Sequence, residues 1–257
     1  MFRAFGSRNY ALYWGGACLS NIGSWMQTVA LGWLVLQLTD SPFWVGFVSF
    51  AALSPSLFMS LFGGVLADRL DRRLLLMTTQ TAMMLSTGTL ATLTAFHLIT
   101  VPLIIVLSFL TGFANALNTP AQQAMIADLV PPDILLNAIS LNSVQFNLAR
   151  VVGPACAGII IGWVNISACF FLNSVSFVAL IAALTLIRVA PQRPLPSRTI
   201  WRHLGEGIQY VRAQPLLRLV LATAAMLSLF CLPYIVLMPV FARDVLHAGP
   251  DGFGYLM

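Results

Sequence analysis

An all-α membrane protein is the fold class this chain predicts, and three observations carry that expectation. Of its 257 residues, 59% are hydrophobic and only 8% are charged, against about 25% charged in an ordinary soluble domain. Mean hydropathy is +0.88. The charges that do occur fall in clusters, and the uncharged apolar runs between them reach the roughly 20 residues that a bilayer crossing needs.

The helices follow when the chain is read between charges. Nothing from Arg8 to Asp40 is charged, and Leu12 to Leu38 gives helix one. Thr39-Asp40-Ser41-Pro42 then reads as a turn in which Asp40 or Ser41 can cap the next helix. Phe43 to Ala67 is helix two, Leu74 to Phe96 helix three, and Leu103 to Ala127 helix four, with a short turn over His97 to Pro102. No formal charge lies between Arg73 and Asp128, which leaves room for both of these spans. Leu129-Val130-Pro131-Pro132-Asp133 breaks the helix, after which Ala138 to Trp163 is helix five and Ile166 to Ile187 helix six. Leu216 to Phe241 makes helix seven, expected to bend or break near Pro233 and Pro239.

Between helices six and seven the composition changes. Residues 189–215 hold Pro191, Pro194 and Pro196 beside several arginines and read as a linker. Within it Ile200, Leu204, Ile208 and Val211 share a helical face opposite Arg202, Glu206 and Gln209, with Trp201 and Tyr210 placed to rest at lipid headgroups. That pattern predicts an amphipathic surface helix, a solvated linker being the alternative. Three units result: six spans over 1–188, the linker over 189–215, and helix seven with the start of an eighth over 216–257. Gly252 to Met257 reads as the first turns of an eighth helix. A helix cut that short leaves backbone groups unsatisfied in lipid, so the reading expects a fragment.

All 13 basic residues are arginine. The absence of lysine excludes a P-loop lysine, a Schiff base and a Ser-Lys dyad from this sequence. With the N-terminus in the cytoplasm, Arg3, Arg8, Arg69, Arg72, Arg73, Arg188, Arg193, Arg198, Arg202, Arg212 and Arg218 gather on the cytoplasmic side. Only Arg243 falls outside and Arg150 within a span, an asymmetry that predicts this orientation. The same placement explains the basicity without nucleic acid. Arg3 and Arg8 before an apolar run resemble a signal peptide superficially, but the run is too long and more spans follow. Cys18, Cys156, Cys169 and Cys231 lie inside apolar runs with no metal spacing, so neither metal nor cofactor is expected. No H-E-x-x-H, G-x-S-x-G, paired deep carboxylates or Cys-His cluster occurs, which argues against an enzyme.

The chain is organised around Gly63-Gly64-Val65-Leu66-Ala67-Asp68-Arg69-Leu70-Asp71-Arg72-Arg73, read as a tight charged turn between helices two and three. Gly64, Leu66, Asp68, Arg69, Arg72 and Arg73 resemble the loop signature of the major facilitator superfamily, although Asp71 stands where that pattern prefers glycine. Arg150 with Gly153, Pro154 and Gly158 in helix five resembles the antiporter motif of its exporters. There the final glycine comes one place late, and Ala149 holds the leading glycine position. Asn118-Thr119-Pro120-Ala121-Gln122-Gln123-Ala124, continued by Leu129-Val130-Pro131 and Leu141-Asn142, is similar to the enterobactin-exporter and macrolide-efflux branch. The resemblance implies six helices per bundle, inverted three-helix repeats and transport by alternating access. It also implies a bacterial inner membrane, a small-molecule substrate, the lipid bilayer and a C-terminal bundle beyond this chain as partners, and proton coupling. Asp68 would act as a gating latch against that second bundle, together with Arg69 and Arg72. Helix four lacks the arginine of many proton-coupled drug exporters, so their coupling rules do not transfer.

Polar residues inside spans are costly and therefore informative. Asn21, Ser24, Gln27 and Thr28 share a face of helix one, and Asn115, Asn118 and Gln122 a face of helix four. Either these faces line a central cavity or they hydrogen-bond between helices. Arg150 shares a stripe with Ser143 and Asn147, and no carboxylate lies at its depth. A coupling carboxylate would be Asp40 or Asp68 near helix ends, or lie outside this chain. Efflux of small amphiphiles such as siderophores or drugs is the reading that results. A membrane scaffold or inactive fragment, and a facilitator-type importer, are the alternatives.

Overall fold

The computed structural model describes residues 2–69, 71–187, 209–249, 252, 253 and 256, with the backbone alone at 60–69, 229, 231–233 and 235. Among the described residues run seven long helices: α1 (Arg8–Thr39), α2 (Pro42–Arg69), α3 (Arg72–Ala95), α4 (Val101–Leu129), α5 (Leu135–Trp163), α6 (Ile166–Leu186) and α7 (Pro215–Asp244). Short 3-10 turns precede α1 at Arg3–Gly6 and α5 at Pro132–Ile134.

Local chemistry sets the helix ends. Ser7 starts α1 by accepting from the Tyr10 amide, Asp71 starts α3 by accepting from Leu74 at 3.0 Å, and Asn165 starts α6 by accepting from Ala168 at 2.8 Å. Asp40 does not cap α2 as its sequence position suggests. It closes α1 instead, in the left-handed conformation (φ 49°) that aspartate adopts more readily than most residues. The charged stretch at 63–73 is also less of a turn than expected. α2 continues to Arg69 and α3 begins at Arg72, because Asp71 supplies the cap that lets a new helix start at once. α7 passes through Pro233 and Pro239 as one helix rather than breaking there. The linker residues 188–208, including Ile200, Leu204 and Ile208, lie outside the described residues, whereas residues 209–213 are helical.

The most extensive pairings are α2 with α4, α1 with α6, α3 with α6, α1 with α5 and α3 with α4. Exchanging α1 with α4, α2 with α5 and α3 with α6 maps this set onto itself. Each three-helix unit therefore inserts its first helix between the last two of the other, which is the packing of a repeat that the letters alone do not reveal. Glycines set the closest crossings. A Cβ on Gly16 would lie 2.9 Å from the Leu180 Cα of α6, and one on Gly153 2.8 Å from the Ile22 carbonyl of α1.

Two apolar clusters close the ends of the bundle. One holds Tyr10, Tyr13, Leu76, Met125, Leu129 and Leu184, and the other Trp33, Val35, Val45, Ile104, Ile161 and Phe170. Most of the buried polar side chains, Ser20, Thr79, Gln80, Thr87, Asn118, Gln145 and Asn173, fall between them along the helices, beside a small apolar cluster of Met83, Ala114 and Phe177. Among the described residues, four helices are long and apolar enough to cross a membrane by length and composition: α2, α4, α5 and α6. α1 and α3, 32 and 24 residues long, are long enough but more polar. α3 carries a series of threonines whose hydroxyls are mostly satisfied by its own carbonyls, as in Thr81 to Met77 at 2.8 Å and Thr94 to Leu90 at 2.7 Å.

Candidate functional site

The polar middle layer contains two hydrogen-bonded junctions. In the first, joining α1, α3 and α4, Ser20 Oγ donates to Gln80 Oε1 at 3.4 Å. Thr79 Oγ1 and Gln80 Nε2 both donate to Asn118 Oδ1, at 3.1 and 3.2 Å. In the second, joining α1, α3 and α6, Gln27 Oε1 accepts from Thr87 Oγ1 at 2.9 Å and from Asn173 Nδ2, while Ser176 Oγ donates to Asn173 Oδ1 at 3.0 Å. Gly23 makes room for the second junction, since a Cβ there would meet Asn173 Oδ1 at 2.3 Å.

Two of the residues expected to line a cavity are therefore turned into the bundle. Asn118 is 4% exposed and Gln27 is bound at its junction, so both serve as interhelical ties, the alternative the spacing left open. A stripe defined by i, i+3 and i+7 spans a wide arc, and its buried edge falls on α3 and α6. Ser24 bonds back to the Ser20 carbonyl at 2.9 Å and Thr28 to that of Ser24 at 3.0 Å. Asn115 is exposed and Asn21 and Gln122 are half-buried, and their side chains make no hydrogen bond among the described residues.

On α5, Gly153, Pro154 and Gly158 are buried against the neighbouring helices. The missing side chain of Gly153 lets α1 approach until its Cβ position would be 2.6 Å from that of Trp25. One turn earlier the exposed Arg150 places its guanidinium carbon 5.6 Å from the centre of the Trp25 ring, which in turn meets Phe146 edge-on at 6.0 Å.

At the end of the bundle that carries the signature stretch, Gly64, Asp68 and Arg69 lie in the last turns of α2, with their side chains outside the described residues, as is Leu70 altogether. Arg72 Nη1 donates to both carboxylate oxygens of Asp128 at 3.0 Å and to the Ala124 carbonyl at 3.4 Å, tying the start of α3 to the end of α4. Arg73 Nη2 reaches the Thr185 carbonyl at the end of α6, at 3.0 Å. Asp128 was not singled out by sequence. Its available signal was that it and the signature arginines fall at the same end once helix directions alternate.

At the opposite end Arg243 Nη1 pairs with Asp40 Oδ1 at 2.7 Å and Arg243 Nε with Asp244 at 2.6 Å, joining α7 to the end of α1. The hydrogen bond from Arg243 holds the Asp244 carboxyl below its ordinary range. Nearby a Cβ on Gly32 would lie 3.0 Å from Pro239, and Trp33 stacks on Phe253 at 5.9 Å. No group of three or more potential metal ligands occurs among the described residues.

Comparisons with known proteins agree in kind. A family model described as "Transmembrane secretion effector" matches residues 2–257. The staphyloferrin A transporter of Staphylococcus aureus is 28% identical over 253 residues, covering 95% of this chain and 62% of that protein. The multidrug efflux pump Tap of Mycolicibacterium fortuitum is 26% identical over 211 residues, covering 79% of this chain and 52% of Tap. Macrolide efflux protein A of Streptococcus pyogenes is 22% identical over 248 residues, covering 92% and 59% respectively. The crystal structure of peptide transporter POT in complex with alafosfalin superposes with a TM-score of 0.57 at 16% identity, over 93% of this chain and 50% of that one, a likeness of fold. The chain thus spans between half and two thirds of the length of these relatives.

Proposed function

From a chain that belongs to the transmembrane secretion effector family of the major facilitator superfamily, we propose an exporter of small amphiphilic molecules such as siderophores or drugs. It works by alternating access across the bacterial inner membrane, with its N-terminus in the cytoplasm. Membership of this transporter family also sets it apart from the enzymes.

The observation that carries this reading is the polar layer held between two apolar end clusters in a bundle built from two interlocked three-helix units. Such a layer lies at mid-height of the membrane, where transporters of this construction bind their cargo. Residues 1–188 form the first bundle, 189–215 the cytoplasmic linker, and 216–257 the start of a second bundle whose remainder completes the cavity. The names of the relatives, which include an efflux pump and a macrolide efflux protein, favour export over a facilitator-type importer or a scaffold. Exchange with protons supplies the driving force, and Asp68 with Arg69 and Arg72 latches the signature end against the second bundle.

Efflux from energised cells expressing the complete protein tests this. A fluorescent amphiphile is expelled by the wild type, and Asp68→Asn slows expulsion severalfold while membrane levels of protein stay equal. Unchanged efflux in Asp68→Asn would remove the latch. No efflux of any amphiphile by the abundant wild type would return the scaffold reading.

A further inference from the structure

We infer that Arg150, seated on Trp25, is the anion-recognising group of the transport cavity and that the cargo is an amphiphilic organic anion. Its carboxylate sits on the guanidinium and its apolar body along Trp25 and Phe146. This rests on the transport reading above and adds the chemical class of the cargo.

Arg150 lies about midway along α5, at the depth of the polar layer, and places a guanidinium cation there. A cation at that depth costs free energy unless something offsets it. Among the described residues Arg150 has no ion-pair partner, and the acidic residues of the first bundle stand at or beyond helix ends: Asp40, Asp68, Asp71, Asp128 and Asp133. The Trp25 face, 5.6 Å away, supplies part of the compensation and fixes the position of the guanidinium. It leaves the N–H donors of the fork free for a carboxylate.

The direction in which the group faces follows from α1. Asn21, Trp25, Thr28 and Gly32 recur at helical spacing on one side of that helix, and Gly32 is where Pro239 of α7 comes close. Trp25, and Arg150 over it, therefore look toward the side on which α7 sits. Gly153 makes the arrangement possible, because any side chain there would push α5 and its arginine off Trp25. The glycine of this motif thus positions an arginine.

The test uses two dyes with the same xanthene body, the anion fluorescein and the cation tetramethylrhodamine ethyl ester, titrated by anisotropy against purified protein in uncharged detergent. The wild type binds fluorescein more tightly. Arg150→Gln weakens fluorescein at least about tenfold, as loss of a hydrogen bond to a charged group implies, while leaving the cationic dye unchanged or tighter. Arg150→Lys keeps part of the fluorescein affinity. Equal weakening of both dyes together with lower thermal stability would make Arg150 an internal ion-pair partner and overturn the assignment. Unchanged fluorescein binding in Arg150→Gln, or none in the wild type, overturns it too. If the wild type expels cationic amphiphiles and Arg150→Gln leaves both dyes alike, only the anion assignment falls. If fluorescein binding depends on Arg150 yet cells expel nothing, the export reading falls and the anion site stands.

Discussion

Gly112→Val is expected to leave no folded protein in the membrane, whereas Gly15→Ala accumulates like the wild type. A Cβ on Gly112 would lie 1.9 Å from the Ala52 carbonyl oxygen and 2.8 Å from its carbon, so α4 rests directly on the backbone of α2. A side chain in the way can rotate; a backbone carbonyl inside a helix cannot. The clash is relieved only by separating α2 from α4, which is among the most extensive pairings in the bundle. Overpacking costs about 1–3 kcal/mol where side chains can adjust, and more where they cannot. Against a total stability of about 5–15 kcal/mol, moving two helices apart along their length takes a large share. Gly15 has nothing within 4 Å of its Cβ position, and there alanine gains helix propensity of about 1 kcal/mol. The yield of monodisperse protein and its thermal midpoint measure both. A Gly112→Val protein melting with the wild type would refute the crossing of α2 and α4.

Most of the helical layout was legible in the letters because charge is forbidden in lipid and therefore marks the ends of spans. Helix five ends at Trp163 in both the reading and the structure, and helix six differs by one residue at its end. What was not legible concerns direction around a helix and pairing across helices. Gln27 and Asn118 belong to stripes that spacing alone assigns to one face, but whether that face meets water or another helix depends on neighbours far apart in sequence. Thr87 and Asn173, which bind Gln27, come from helices three and six respectively, and no local pattern announces them. Asp40 and Ser41 both looked able to cap the next helix, since each stands just before Pro42 at its start. The structure instead uses the tolerance of Asp40 for positive φ to end α1, which leaves its carboxylate free to meet Arg243. The three-helix repeat was invisible for a related reason: it lies in which helix packs on which, and apolar residues can exchange within such contacts without changing the pairing.

Asp128→Ala is expected to destabilise the bundle by about 2 kcal/mol, with the Arg72→Leu/Asp128→Leu double variant recovering much of that loss. The side chains of Arg72 and Asp128 are 18% and 15% exposed, between the surface and the interior. Exposed pairs contribute about 0–1 kcal/mol, and breaking a fully buried pair costs about 3–5 kcal/mol. The single variant removes the carboxylate that accepts both Nη1 hydrogen bonds, so the cost is that of losing charge-assisted contacts at a half-buried guanidinium. Removing both groups removes that cation, and apolar side chains fill the space. The two positions join the first turn of α3 to the last turn of α4, which belong to different three-helix units. A double-mutant cycle by thermal unfolding therefore reads how firmly the units are clamped at the signature end. Coupling near zero would mean that the pair contributes no clamp, and that the basic residues after Asp71 owe their place to membrane topology or to the second bundle. Strong coupling would make Arg72 a structural residue first, so that efflux defects in Arg72 variants could not be assigned to the latch until their folding had been measured.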